Sequence, residues 1–131
     1  MRIMIVDDAE AMRRYIRRIA DLAGTGVNEY IEVENGAVAL QQLREQAVDV
    51  ILTDIHMPVM DGRELIAQVM ADPALSRIPI VVISTDNTRT SMREMVALGA
   101  MGYVEKPFSP ERLGLELQRV IAVADELARI E

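Results

Sequence analysis

The sequence predicts an α/β fold: a doubly wound, five-stranded parallel sheet in the order 2-1-3-4-5, with five helices. Two observations predict it. Five short apolar runs alternate with five longer segments whose apolar residues recur at helical spacing. Acids stop two of the runs abruptly, Asp7-Asp8 after the first and Asp54 after the third, where an open parallel sheet presents its ligands at strand carboxyl ends. In the common order for such a chain, strands one and three are neighbours at the switch point, which sets Asp7-Asp8 beside Asp54. The crossovers are expected to be right-handed.

Ile3–Val6 reads as the first strand. Met12, Ile16, Ile19 and Ala23 then share one helical face, opposite Arg13, Arg14, Arg17 and Arg18. Gly24-Thr25-Gly26 ends that helix. Tyr30–Glu34 is a weaker second strand, and Asn35-Gly36 turns into a helix with Val38, Leu40 and Leu43 inward. The continuous apolar run in Asp49–Thr53 fits a strand buried on both faces, and Asp54 closes it. Pro58 and Gly62 keep the following loop from continuing as strand or turning helical early. Leu65, Ile66, Val69 and Met70 mark the third helix, stopped near Asp72-Pro73. Pro79–Ile83 is the fourth strand, with proline at its first residue. On the fourth helix Met92, Met95 and Val96 face inward, the two methionines as core rather than partner surface, and Gly99 closes it. Gly102–Glu105 is a short fifth strand. Ser109-Pro110, a capping residue followed by proline at the first helical position, opens a last helix that buries Leu113, Leu117, Val120, Ile121 and Ala124.

Composition narrows the function. A chain of 131 residues, half of them apolar, is expected to form one domain over residues 1–131. There is no cysteine and one histidine, which excludes disulfides, thiolate metal sites and any histidine-built metal site. No apolar run approaches the roughly 20 residues that span a bilayer. Met1-Arg2-Ile3-Met4 runs into acids too soon for a signal peptide, so the expectation is a cytoplasmic protein with no membrane contact. A net charge of −7 argues against direct nucleic-acid binding, which depends on basic residues neutralising phosphates, and suits a site that gathers a divalent cation.

Three carboxylates in one crevice repel each other, and a bound cation relieves that. An oxygen-only donor set suits Mg²⁺. Lys106 follows the fifth strand and Ser84 ends the fourth, so both belong to the same edge. Three acids, an ammonium and a hydroxyl suffice to hold and transfer a phosphoryl group. A carboxylate serves as nucleophile, cation and ammonium balance charge on the oxygens, and the hydroxyl donates a hydrogen bond.

These residues resemble the receiver domains of two-component response regulators, single-domain CheY-like members included. The resemblance spans essentially the whole chain. It rests on Val6-Asp7-Asp8, on TDIHMPVMDG over Thr53–Gly62, on Ser84 after an apolar run, and on GYVEKPF over Gly102–Phe108. It implies a flavodoxin-like fold, with Asp54 as phosphoacceptor and Asp7, Asp8, Asp54 and the His56 backbone carbonyl as Mg²⁺ ligands. It further implies that Lys106 contacts the phosphoryl oxygens, that the Lys106–Pro107 bond is cis, that Ser84 is the switch hydroxyl and that Tyr103 is the aromatic that turns inward on activation. His56 and Asp86 occupy the two positions that tune phosphoryl turnover. Thr85 stands where the family prefers a very small residue. The residues alone do not choose between Ser84 and Thr85 as the switch hydroxyl; the family's spacing to Gly102–Phe108 chooses Ser84.

The reading implied is a phosphorylation-switched signalling module, as in chemotaxis, catalysing only its own phosphorylation and dephosphorylation. It would be monomeric, served by a histidine kinase or phosphotransfer protein, and felt by an output protein on the fourth helix, fifth strand and fifth helix. The rival is a Mg²⁺-dependent phosphohydrolase with an aspartyl-phosphate intermediate. Such enzymes place an acid two residues after the nucleophile, where this chain has His56, and no cap domain is present to bind substrate. A nucleotide-binding module is disfavoured, since no glycine-rich loop follows the first strand. Taken singly, Asp7-Asp8 read as caps, Lys106 as a surface lysine and Tyr103 as a half-buried strand residue; only together do they make a site. The four arginines are either a solvated face or a docking surface for an acidic kinase.

Overall fold

The computed structural model describes residues 1–130, so the expected last residue of the domain lies outside the described residues. The elements run β1 (Arg2–Val6), α1 (Glu10–Leu22), β2 (Glu29–Val33), α2 (Gly36–Glu45), β3 (Val50–Thr53), α3 (Gly62–Ala71), β4 (Ile80–Ser84), α4 (Arg89–Leu98), β5 (Gly102–Glu105) and α5 (Pro110–Ile130). All strand pairs are parallel, in the order β2-β1-β3-β4-β5.

The pleat sorts the apolar runs into two cores, because successive side chains on a strand point to opposite faces. Met4, Val6, Ile51, Ile80 and Val82 point to one face and pack with Leu40, Leu43, Leu65, Ile66, Val69 and Met95 from α2, α3 and α4. Ile3, Ile5, Val50, Leu52, Val81, Ile83 and Val104 point to the other and meet Ile16, Ile19, Leu113, Leu117 and Val120 from α1 and α5. The three central strands are therefore apolar at both parities, which is why they read as unbroken runs. Each fully buried Ile or Leu contributes roughly 1.5–3 kcal/mol, so removing either helical layer would strip the sheet of half its support.

The helix starts follow local chemistry. The side chains of Asn35, Asp61 and Thr88 accept the backbone N–H groups of Val38, Glu64 and Ser91 and so cap α2, α3 and α4. Gly99 closes α4 at φ 127°, a backbone region open mainly to glycine.

Two expectations about helix faces are corrected. Val96 is 59% exposed, not inward. The buried arc of α4 holds Ser91 and Met95, with Met92 and Leu98 half-buried. Val96 lies one residue step, roughly 100°, beyond Met95. The four α1 arginines also do not form one face. Arg13 and Arg17 make a row toward β2, where both pair with Glu32 at 3.4 Å, and Arg17 lies over the Tyr30 ring. Arg14 and Arg18 make the outer, exposed row. Met12, Ala23, Val38 and Met70 are half-buried, at the margins of the cores.

Candidate functional site: the carboxyl edge of the sheet

The strand register delivers the acids. β1 and β3 pair side by side, with Val6 opposite Thr53. The next residues, Asp7 and Asp54, therefore leave the sheet together. The backbone N–H of Asp54 donates to the Val6 carbonyl at 2.9 Å, and that of Asp7 to the Val33 carbonyl at 3.1 Å. One carboxylate oxygen of each is anchored locally: Asp7 Oδ1 accepts the Ala9 N–H at 2.9 Å and Asp54 Oδ1 accepts the Ile55 N–H at 2.7 Å. The other oxygen of each faces Lys106, whose Nζ donates to Asp7 Oδ2 at 2.7 Å and to Asp54 Oδ2 at 3.1 Å. Asp7 is buried, Asp54 is half-buried and Asp8 is exposed, and carboxylate oxygens of the three lie within 4.8 Å of one another. Asp7 does not cap α1, whose N-cap is Ala9 without a side-chain bond; its Oδ1 holds the turn before the helix while Oδ2 faces the cluster.

Lys106 is held in place by its backbone N–H, which donates to the Ser84 carbonyl at 2.8 Å, and the peptide bond to Pro107 is cis, as expected. Burial disfavours its charge, but the carboxylates of Asp7 and Asp54 outweigh that and raise its pKa above the ordinary lysine value. Three carboxylates against one ammonium leave two negative charges in excess. Oxygen-only donors with that excess fit a hard divalent cation.

The β3–α3 loop folds back under the cluster. A Cβ on Gly62 would strike the Asp54 carbonyl and come within 2.9 Å of Ile55 Cα, and the Gly62 N–H donates to the Ile55 carbonyl at 2.7 Å. Only glycine permits that approach. His56 extends from the same loop, its side chain 61% exposed, and its Nε2 stands 3.6 Å from Asp86 Oδ2.

The two adjacent hydroxyls have opposite surroundings. Ser84 is fully buried and its Oγ accepts the Asp86 N–H at 3.1 Å, whereas Thr85 is exposed. Tyr103 is 8% exposed, and its hydroxyl donates to the Asp86 carbonyl. Burial, reinforced by the nearby Asp86 charge, raises its pKa. Hydrogen bonds from Ser91 and then from Thr88 hold the Asp86 carboxyl far below the usual carboxylate range.

Sequence reasoning missed several participants. Ser91 is buried against Asp86, Arg63 of α3 reaches Ser91 and pairs with Glu94, and the Arg13 guanidinium donates to the Asp7 carbonyl at 2.6 Å. The run Asp86-Asn87-Thr88 carried a turn-and-cap signal. A serine inside a helix and an arginine on a charged face carried none.

The family profile described as response regulator receiver domain matches residues 3–118. The chain is 33% identical over 126 residues to the chemotaxis protein CheY1 of Helicobacter pylori, covering 95% of this chain and all of that one. Among solved structures, the chemotaxis response regulator CheY4 of Vibrio cholerae is 33% identical with a TM-score of 0.81, covering 91% of this chain and 97% of that one. A Mn²⁺-bound form of response regulator Rcp1 is 26% identical with a TM-score of 0.74, covering 91% and 90%. Nothing in these likenesses supports the phosphohydrolase reading. Five parallel strands in the order 2-1-3-4-5, acids converging on a half-buried lysine at their carboxyl edge, and a family match across most of the length place this chain in the response regulator receiver domain family, as a phosphorylation-switched signalling module of two-component systems.

Proposed function

We propose that Asp54 accepts the phosphoryl group from a phosphohistidine of a histidine kinase or phosphotransfer protein. The observation that carries this is the Lys106 ammonium bridging Asp54 and Asp7 inside a three-acid cluster. Asp54 is anchored through Oδ1, which leaves Oδ2 as the attacking atom. A P–O bond forms to Oδ2, the donor's P–N bond breaks, the electron pair stays on the departing imidazole nitrogen, and that imidazole takes up a proton from water. Lys106 gives up its bond to Oδ2 and follows the charge onto the phosphoryl oxygens. Asp7, Asp8, Asp54 and the His56 backbone carbonyl would hold Mg²⁺, and the Mn²⁺-bound Rcp1 relative supports a divalent ion here. When bound, that ion neutralises charge on the phosphoryl oxygens.

Ser84 is the switch hydroxyl. Its buried position beside the cluster supports that choice over the exposed Thr85. Tyr103 is its partner on β5, and His56, Thr85 and Asp86 line the approach and set turnover. The unit is one receiver domain over residues 1–131. It acts as a cytoplasmic monomer and signals to a partner through α4, β5 and α5, in chemotaxis as the CheY relatives suggest. Arg14 and Arg18, the outer row of α1, form the docking surface for the kinase.

Incubation with a small phosphodonor and Mg²⁺, followed by intact mass, tests the reading. The expected result is one phosphoryl adduct, absent in Asp54→Asn and absent without Mg²⁺. Multiple turnover of an organic phosphate, or labelling that survives Asp54→Asn, would overturn it.

A further inference from the structure

Arg13 leaves α1 and turns back toward the segment that carries the first two acids of the cluster. Its Nη1 donates to the Asp7 carbonyl at 2.6 Å. That carbonyl belongs to the peptide group joining Asp7 to Asp8. The guanidinium also stands beside β2, with Nε 3.4 Å from Glu32 Oε1 and most of the side chain buried. Yet Nε is buried and makes no hydrogen bond. A buried polar nitrogen without an acceptor is unfavourable. An arginine fork bonds a carboxylate readily when nothing else directs it. Here the head is turned to serve the carbonyl, at the expense of its geometry toward Glu32. The Asp7 carbonyl therefore sets the orientation of Arg13, and Glu32 supplies balancing charge.

We propose that Arg13 is a positioning residue for the metal site: its bond to the Asp7 carbonyl fixes the peptide plane between Asp7 and Asp8, and so the directions in which both carboxylates meet a divalent cation. The inference rests on the proposed reading of Asp7, Asp8 and Asp54 as metal acids. It adds a cationic side chain that helps them hold a cation.

The route follows from peptide planarity. The atoms of the Asp7–Asp8 peptide move as one plate. The two Cα atoms at its ends, about 3.8 Å apart, carry the two carboxylates. On the Asp7 side the backbone N–H is bonded to the Val33 carbonyl at 3.1 Å, and Oδ1 accepts the Ala9 N–H at 2.9 Å. Asp8 is exposed, and rotation of the plate would swing it away from its neighbour. Helix α1 begins without a side-chain cap to hold that turn. The Arg13 bond ties the plate to the helix instead. Its positive charge works the other way, because a cation near the site repels an incoming dication. Glu32 offsets part of that repulsion. The two effects of Arg13 thus have opposite signs, and substitution separates them.

The test is a titration with Mg²⁺ alone, read by amide chemical shifts, on proteins shown by thermal melts to be folded without metal. Arg13→Met keeps the apolar stem and loses both charge and donors. It is expected to weaken Mg²⁺ binding about fivefold to tenfold, toward the low end of what losing an outer partner of a metal ligand costs. Arg13→Gln, a second uncharged variant too short to reach the carbonyl, is expected to lose as much. Arg13→Lys keeps a donor long enough to reach it, and is expected to recover at least half of the loss although it restores the positive charge. Glu32→Gln leaves the carbonyl bond in place and is expected to stay within about twofold of wild type.

Tighter binding in the uncharged variants would show that Arg13 acts by charge alone, and that outcome overturns the proposal. So does unchanged binding, which would make Arg13 a packing residue. So does a loss in Glu32→Gln as large as in Arg13→Met, which would place the effect in the pair with β2. Failure of the wild type to bind Mg²⁺ would instead strike the proposed metal site, and the inference would fall with it.

Discussion

Ser84 and Thr85 are neighbours in sequence and differ in what surrounds them. Ser84 is fully buried and already accepts a backbone N–H; Thr85 is exposed at the mouth of the loop. Removing each should have opposite effects. Ser84→Ala is expected to remain labelable but to lose most of the conformational response, because a hydrogen bond to a charged group is worth about 1.5–3 kcal/mol. That is enough to shift a two-state balance tenfold or more. Thr85→Ala removes a stiff β-branched side chain and should quicken both labelling by small donors and loss of the phosphoryl group. Labelling and decay rates, with amide exchange on α4, decide between them. Reversed phenotypes would show the register to be off by one.

At the scale of elements, α5 is clamped to the edge strand β5 by a charged network that the bare pattern of apolar residues does not reveal. Glu116 is buried on α5 and bonded to Arg112 and Arg119, which donate to the carbonyls of Tyr103 and Met101. A Cβ on Gly102 would strike the Glu116 carboxylate, so glycine lets the network lie over the strand. Burial pushes the Glu116 carboxyl up, but the two guanidiniums outweigh it, and its pKa ends below the ordinary 4.5. A carboxylate with a depressed folded pKa stabilises the fold above its unfolded value, and that stabilisation is lost as pH falls through the folded one. Wild type should therefore exceed Glu116→Gln by about 1–2 kcal/mol near neutrality, with the gap closing as pH drops below 4.5. Urea melts of both proteins across that range read the gap directly; a constant difference would show that charge is not its source. Helix α1 carries a second prediction. Reversing the charges of Arg14 and Arg18 should slow transfer from an acidic kinase about tenfold or more at low salt, and the effect should fade as salt rises. Labelling by a small phosphodonor should be spared, and equal loss with both donors would indicate damage at the acid cluster. The ion pair of Arg14 with Glu10 is exposed at both ends, so its loss has little effect on the fold.

At the scale of the whole molecule, a cation bound only by the folded state adds stability by mass action, about 2.7 kcal/mol at a hundredfold excess over Kd. For a domain of this size that is several degrees in melting temperature. Wild type should melt higher in Mg²⁺. Asp8 is exposed, so Asp8→Ala should leave metal-free stability within about 0.5 kcal/mol, and relief of repulsion among the acids favours the mutant slightly. The shift with Mg²⁺ should shrink. Calorimetric titration beside the melts checks both halves, and unchanged Mg²⁺ binding in the mutant would remove Asp8 from the metal site.

Much of this protein was determined by sequence alone, for identifiable reasons. Burial on both faces makes a central strand an unbroken apolar run, so β1, β3 and β4 stood out. β2 is an edge strand, exposed or half-buried along most of its length, so its sequence pattern points one residue past the strand's true start. Apolar runs ending at Asp7 and Asp54 implied the acid cluster, because parallel strands end together at one edge. Tertiary structure alone decided which charges turn inward. The four α1 arginines look equivalent in sequence, yet Arg13 reaches the Asp7 carbonyl while Arg18 stays exposed, because the row toward β2 meets Glu32 and the Asp7 carbonyl, whereas Arg14 in the outer row pairs only with Glu10 of its own helix. Val96 looked like core, but the seat beneath α4 is too narrow to cover it. Ser91 and Glu116 are polar residues that the helical pattern alone does not bury: Ser91 lies against Asp86 and Arg63, and Glu116 lies over β5 at Gly102. Spacing along a chain reports which face a residue shares; only the folded packing reports what that face meets.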